Sequence, residues 1–391
     1  FLIFVVCLGF CGVMGEMAFG RAMRTGPVGA FRKATQRRGS KIGGIFGLLP
    51  LIGSTGVAIG YTVIVGWILR FLFGAATGGM FATESGAYFG EIAGNFGSIG
   101  WHIFAIVLTF VVMNAGISAG IERANKIVMP LFFFLFVGLA IFVATIPGSE
   151  AGYEFLFSPD WSALADPKTW MYALGQAFFS LSLAGCGTIV YGSYLKNDTD
   201  IVFSGVMVAV FELIASILVA LTILPAVFAF GIDPQSGPPL IFITLPSIFA
   251  QLPYSQILAI VFFLAVFFAG ITSLVNLYET PIEALQEQFG LSRIASCVVV
   301  FGFSLLVGIF LENGDTVSSW MDIFTIYIMP VGALLAGIMF FWICGKGFAA
   351  SQIEMGSKYR VGRFIEGLGK YVYCGVTIIV LILGVVFGGI G

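Results

Sequence analysis

Apolar runs long enough to cross a bilayer alternate along the chain with short stretches rich in Arg, Lys, Glu, Asp and Gly. A spanning helix needs about 20 apolar residues. The pattern predicts ten spans: residues 1–20, 46–74, 101–118, 127–147, 169–194, 201–231, 256–285, 294–311, 321–344 and 371–390. Several exceed the minimum, which predicts tilt or helical extension beyond the hydrocarbon. The fifth span departs from the rest. Its centre reads Phe178-Phe179-Ser180-Leu181-Ser182-Leu183-Ala184-Gly185-Cys186-Gly187-Thr188, with hydroxyls, glycines and an alanine where a lipid-facing helix carries Leu, Ile and Val. Each Gly costs about 1 kcal/mol against Ala in a helix. Backbone released at that depth is tolerated only against protein or a water-filled cavity. The pattern therefore predicts a helix broken at mid-membrane, and the break predicts a binding site.

Composition supports the same class. Of 391 residues, 59% are hydrophobic and 10% charged, with a mean hydropathy of +1.04. Soluble domains carry roughly 25% charged residues, so the fold class expected is an all-α polytopic membrane protein. The net charge of −2 says little about partners, and no nucleic-acid partner is expected. Cys7, Cys11, Cys186, Cys297, Cys344 and Cys374 lie in apolar segments without a CxxC pair, and read as small buried hydrophobes rather than disulfides or metal ligands. His102 is the single histidine. It is expected at a helix end near the interface, and one histidine leaves no basis for a Ser-His, Cys-His or His-metal centre. No catalytic residues and no organic cofactor are expected.

The basic residues set a topology. Arg21, Arg24, Arg32, Lys33, Arg37, Arg38, Lys41, Arg123, Lys126, Lys196, Arg293, Lys346, Lys358, Arg360, Arg363 and Lys370 fall on one side of the predicted spans, against Arg70 and Lys168 on the other. Basic loops face the cytoplasm, which predicts a multi-pass protein of the inner (plasma) membrane. Phe1 then lies outside, at the start of an apolar span with no basic lead, so that span is not a signal peptide. The expectation is a chain lacking one upstream helix.

Blocks in order along the chain resemble the neurotransmitter:sodium symporter family, of the bacterial amino-acid transporter type. Phe178 to Leu183, followed by Tyr191-Gly192-Ser193-Tyr194, resembles its sixth helix. Gly116-Ile117-Ser118-Ala119-Gly120-Ile121-Glu122-Arg123 with Met129-Pro130 resembles the turn between its fourth and fifth helices. Gly15-Glu16-Met17-Ala18-Phe19-Gly20-Arg21, Phe242-Ile243-Thr244-Leu245-Pro246 and Phe267-Phe268-Ala269-Gly270-Ile271-Thr272-Ser273 resemble its second helix, fourth outer loop and eighth helix. The resemblance implies a LeuT-type fold of two inverted five-helix repeats, with this chain holding helices two to eleven as one transmembrane domain, 1–391. Residues 1–147 would be the remainder of the first repeat, 168–344 the second, and 371–391 an additional C-terminal helix.

The resemblance also implies a site. Ser180 matches a hydroxyl that binds the first sodium, and Ser182 starts the unwound stretch beside the substrate. Read from the residues alone, both hydroxyls could instead bond back to the preceding turn. Ala269, Thr272 and Ser273 match the second sodium site; small-residue helix packing accounts for them equally. Glu212 stands mid-span without a basic neighbour. It reads either as a first-site sodium ligand or as a protonatable coupling carboxylate. Tyr61 matches the tyrosine that meets the substrate carboxylate, with Val57 one turn earlier and Phe179 over the substrate; an aromatic pair also suits plain core packing. Ala184, Gly185 and Leu277 would shape the pocket, Gly185 leaving room for a large apolar or aromatic side chain. Gln176 and Asp322 resemble an outer gate, whose acid pairs with an Arg of the family's first helix, and Tyr194 and Glu287 an inner one, whose basic partner would lie in the missing N-terminal segment; Tyr61 and Phe179 would lid the substrate.

A dry site for an amino acid must satisfy its carboxylate and ammonium, because unpaired charge is costly there. Half-helix ends and oxygen ligands supply this. The expected function is sodium-coupled symport of an amino acid or related amine by alternating access, with sodium, the small-molecule substrate and the lipid bilayer as partners. A transporter-like sensor or regulatory subunit without net transport is the alternative. No feature of the chain sets an oligomeric state.

Overall fold

The computed structural model describes residues 1–183, 186–231 and 238–387, and all regular structure among them is helical. The membrane-length elements are α1 (Leu2–Met23), α3 (Gly43–Thr77), α5 (Gly120–Val143), α8 (Ile201–Ala229), α10 (Ser255–Phe289), α11 (Arg293–Leu311), α12 (Gly314–Ile343) and α13 (Phe364–Val386). Between them lie α2 (Pro27–Gln36), α4 (Ile99–Asn114), the two halves α6 (Pro167–Ser180) and α7 (Gly187–Tyr194), and α9 (Leu240–Gln251). All ten expected spans have a counterpart. The third is shorter than expected, because Gly116 takes φ 87° and stops α4 at Asn114. The fifth is broken between α6 and α7, as its glycines and hydroxyls predict.

Local chemistry sets the helix ends. Pro27 and Pro167 open α2 and α6, where a missing N–H is harmless. Asp166, Asp200, Ser292 and Asn313 cap α6, α8, α11 and α12 by accepting backbone N–H groups of the first turn. In α12 the turn Ile323–Ile328 widens just ahead of Met329-Pro330. Proline cannot return a hydrogen bond to the preceding turn, and a wider turn absorbs the mismatch.

Two aromatic-rich cores hold the bundle. In one, Phe71 of α3 packs on Phe242 of α9 and Phe263 of α10, each at 5.1 Å between ring centroids, with Trp67 edge-on to Phe242. In the other, Phe19 of α1 packs on Phe340 of α12, and Phe178 of α6 on Tyr373 of α13. Contact between α1 and α7 depends on backbone approach. A methyl group on Gly20 would collide with the Ile189 carbonyl, and one on Gly192 with the Met17 carbonyl. The outer faces stay apolar. Ile127, Phe134 and Ile141 of α5 recur every seven residues and are exposed, the stripe expected of a helix facing lipid.

The six cysteines are free. Four are buried, Cys344 is half-buried and Cys7 is exposed, so Cys7 departs from the buried role expected of it. His102 lies in the first turn of α4 and is fully buried. Its Nδ1 stands 3.3 Å from the equally buried Glu312 carboxylate, which also accepts the Ser98 amide at 3.0 Å.

Candidate functional site at the helix break

The helical path of α6 fails at Leu181, and Ser182 takes φ +56°. The Ser182 amide donates to the Phe179 carbonyl at 3.0 Å and the Leu183 amide to Phe178 at 3.3 Å, which closes the stub. On the far side Cys186, at φ 51°, leads into α7 with Gly187 as its first residue. The opening amides of α7 have no partners within the helix, and the helix dipole adds partial positive charge there. Such an end receives a carboxylate readily.

A cavity of about 150 Å³ lies at this break. Ser54, Val57 and Tyr61 of α3 form one wall; Phe179, Ser180 and Ser182 come from the end of α6 and the break, and Gly187 from α7. Ser273, Asn276 and Leu277 of α10 and Met329 of α12 complete it. The walls are fixed to one another. The Ser54 hydroxyl donates to the Leu277 carbonyl at 2.8 Å, Thr62 and Tyr278 share a 2.6 Å hydroxyl contact, and the Trp320 indole N–H donates to the Gly56 carbonyl at 2.7 Å. The Tyr61 hydroxyl meets Ser273. Lining side chains are hydroxyls, one carboxamide and apolar groups; none carries a formal charge. Such a surface satisfies a charged ligand by directed dipoles rather than counter-charges.

Of the residues expected at the site, Val57, Tyr61, Phe179, Ser180, Ser182, Ser273 and Leu277 come together here. Ala184 and Gly185 lie outside the described residues. Thr272 and Ala269 sit on the same helix just behind the lining, where the Thr272 hydroxyl donates to the Ala269 carbonyl at 2.9 Å and to Phe268 at 3.1 Å. Ser180 makes a long 3.4 Å bond to the Ala177 carbonyl. Glu212 is half-buried on α8, accepts from the Ser216 hydroxyl at 2.9 Å, and does not line the cavity. Gln176 and Asp322 are both exposed.

The two residues expected at an inner gate each have partners of their own. The Tyr194 hydroxyl, at the end of α7, donates to Glu279 of α10 at 2.8 Å, not to Glu287. Arg293 of α11 grips the same Glu279 through both terminal nitrogens, at 2.9 and 2.8 Å, and donates through Nε to the Met113 carbonyl at 2.7 Å. Glu287 instead pairs with Arg32 of α2 at 3.1 Å. Glu283 accepts the Gly26 amide at 2.8 Å. The lower end of α10 therefore carries three carboxylates, each bound to a different neighbour. Above it, Glu16 of α1 accepts the Thr188 hydroxyl of α7, fastening the second half of the broken helix.

Sequence reading missed Ser54, Asn276, Met329, Glu16, Glu279 and Arg293. Some signal was present. Asn276 follows Thr272 by four residues and Ser273 by three, on one helical face, and Ser54 precedes Val57 by three. Glu16 and Glu279 are carboxylates in apolar spans, the rule that selected Glu212.

Residues 87–388 match the family model of the sodium:neurotransmitter symporter family. The chain is 30% identical over 407 aligned residues to an uncharacterised sodium-dependent transporter of Haemophilus influenzae, covering 98% of this chain and 88% of that protein. It is 27% identical to the sodium- and chloride-dependent glycine transporter 2 of Xenopus laevis, covering 74% of this chain and 39% of that one. The crystal structure of MhsT in complex with L-phenylalanine superposes with a TM-score of 0.88 at 31% identity, covering 97% of this chain and 89% of MhsT.

Proposed function

Because this chain belongs to the sodium:neurotransmitter symporter family, we propose that it couples sodium entry to the uptake of an amino acid or related amine by alternating access. Sodium-coupled solute transport is what the family and the LeuT-type fold support; the substrate class is our reading of the cavity. The observation that carries it is the meeting of a bare helix start, Gly187, with Tyr61, Ser182 and apolar walls at one break in the membrane. The Gly187 end suits a carboxylate, as does the Tyr61 hydroxyl. Carbonyls freed near Leu181 and Ser182 suit an ammonium. Val57, Leu277, Met329 and Phe179 suit an apolar side chain. MhsT binds L-phenylalanine, which agrees with a pocket of this kind.

Sodium, a hard cation, takes oxygen ligands. We assign one ion to Ala269, Thr272 and Ser273, supported by the close carbonyl and hydroxyl at Ala269 and Thr272. We assign the other to Ser180, with Glu212 serving as ligand or as a protonatable neighbour. The basic face is read as cytoplasmic.

The test is uptake by the full-length protein in proteoliposomes. An inward sodium gradient should drive accumulation of an amino acid, and collapsing that gradient should stop it. Substrate-protected binding without uptake would overturn transport in favour of a sensor. Thr272→Val should raise the sodium concentration needed for half-maximal uptake; an unchanged sodium dependence would remove Thr272 from the ion site.

A further inference from the structure

Among the described residues, one buried side-chain atom of the cavity lining is left without a partner. Asn276 lines the cavity from α10, and its carboxamide oxygen is buried with no hydrogen bond. Other hydroxyls of the lining are engaged: Ser54 with the Leu277 carbonyl and Ser180 with the Ala177 carbonyl. The start of α7 presses against the amide, since a methyl group on Gly187 would lie 2.9 Å from that oxygen. Val57, Leu277 and Met329 of the same cavity offer no donor. Buried acceptors are nearly always satisfied, and an orphan in a ligand cavity marks a place where the ligand brings the donor.

We propose that Asn276 sets substrate specificity by accepting a hydrogen bond from a donor on the substrate's side chain. This rests on the amino-acid reading above and narrows it. The substrate class is an amino acid whose side chain is mainly apolar but carries one O–H or N–H group. A pocket with apolar walls alone separates such a molecule poorly from its donorless isostere. A pocket with a buried acceptor rejects the donorless one strongly, because the acceptor then stays unpaired.

The experiment is sodium-dependent competition in proteoliposomes with the full-length protein, using tyrosine against phenylalanine and threonine against valine. The donor-bearing member of at least one pair should compete at least tenfold better. Asn276→Leu should bring that pair within about twofold while retaining sodium-dependent binding of the donorless member. Asn276→Asp, which keeps an acceptor, should retain the preference, and guards against a Leu variant that fails to fold. Equal competition within both pairs in the unaltered protein would overturn the proposal. So would Asn276→Leu weakening all four amino acids alike, since the amide would then serve the backbone ammonium common to them. Failure of sodium to stimulate binding of any amino acid would instead overturn the transport reading beneath it.

Discussion

Replacing Arg293 by Met tests the tie that holds the lower end of α7 to α10 and α11. Glu279 is 0% exposed and Arg293 18% exposed, and two N–H groups join them. Removing one partner of a buried pair leaves an uncompensated charge, a loss of about 3–5 kcal/mol. Glu279 keeps the Tyr194 hydroxyl at 2.8 Å, and a bond to a charged group is worth about 1.5–3 kcal/mol. The expected loss for Arg293→Met is therefore at the lower end, about 3 kcal/mol. An apolar replacement of a buried pair is often neutral or better, so adding Glu279→Leu should recover about 2 kcal/mol. The measurement is reversible unfolding in mixed micelles titrated with SDS, on the two single variants and the double variant. Arg293→Met within about 1 kcal/mol of the unaltered protein would show that the carboxylate is not held as an ion. A double variant no more stable than the worse single one would refute the pairing logic.

Other consequences follow from neighbouring contacts. Gly20→Ala or Gly192→Ala should force α1 and α7 apart, since each methyl group meets a backbone carbonyl; a loss of about 1–3 kcal/mol and of most uptake is expected, and normal melting would refute the close approach. Thr188→Val should cost about 1–3 kcal/mol by stripping a hydrogen bond from buried Glu16, and adding Glu16→Leu should restore part of the melting temperature. Asp200 has its pKa below the usual carboxylate range. Partial burial works against this, but the Phe203 amide, the Ser357 hydroxyl and the Lys358 amide outweigh it. A depressed carboxylate stabilises the fold above its unfolded pKa of about 3.9 and loses that contribution as pH falls through the lower folded value. Asp200→Ala should cost about 1 kcal/mol at neutral pH through the lost cap. The gap to the unaltered protein should close below about pH 4, and a gap independent of pH would refute the ionised cap.

Hydrophobic period and glycine placement were enough to predict ten spans and the break in the fifth, because both are properties of consecutive residues. Apolar runs measure themselves against bilayer thickness, and Gly185 and Gly187 weaken a helix wherever it sits. The family resemblance then placed Val57, Tyr61, Phe179, Ser180, Ser182 and Leu277 around one substrate pocket, and the structure gathers them at one cavity together with Ser273, which the resemblance had given to a sodium site. Partnership between helices was a different matter. Tyr194 meets Glu279, a carboxylate the sequence reading passed over, two turns from Glu287 along α10. Glu212 was the carboxylate chosen from the pattern; Glu16 and Glu279 are the ones bonded to α7, the second half of the broken helix. A helix displays several polar groups at 3.6-residue spacing. Which of them faces a neighbour depends on rotation and crossing angle, and those follow from side chains distant in sequence. Asn276 shows this most directly. Its place on the Thr272 and Ser273 face could be counted along α10, but its buried, unpartnered oxygen exists only because Gly187 lets α7 pack against it.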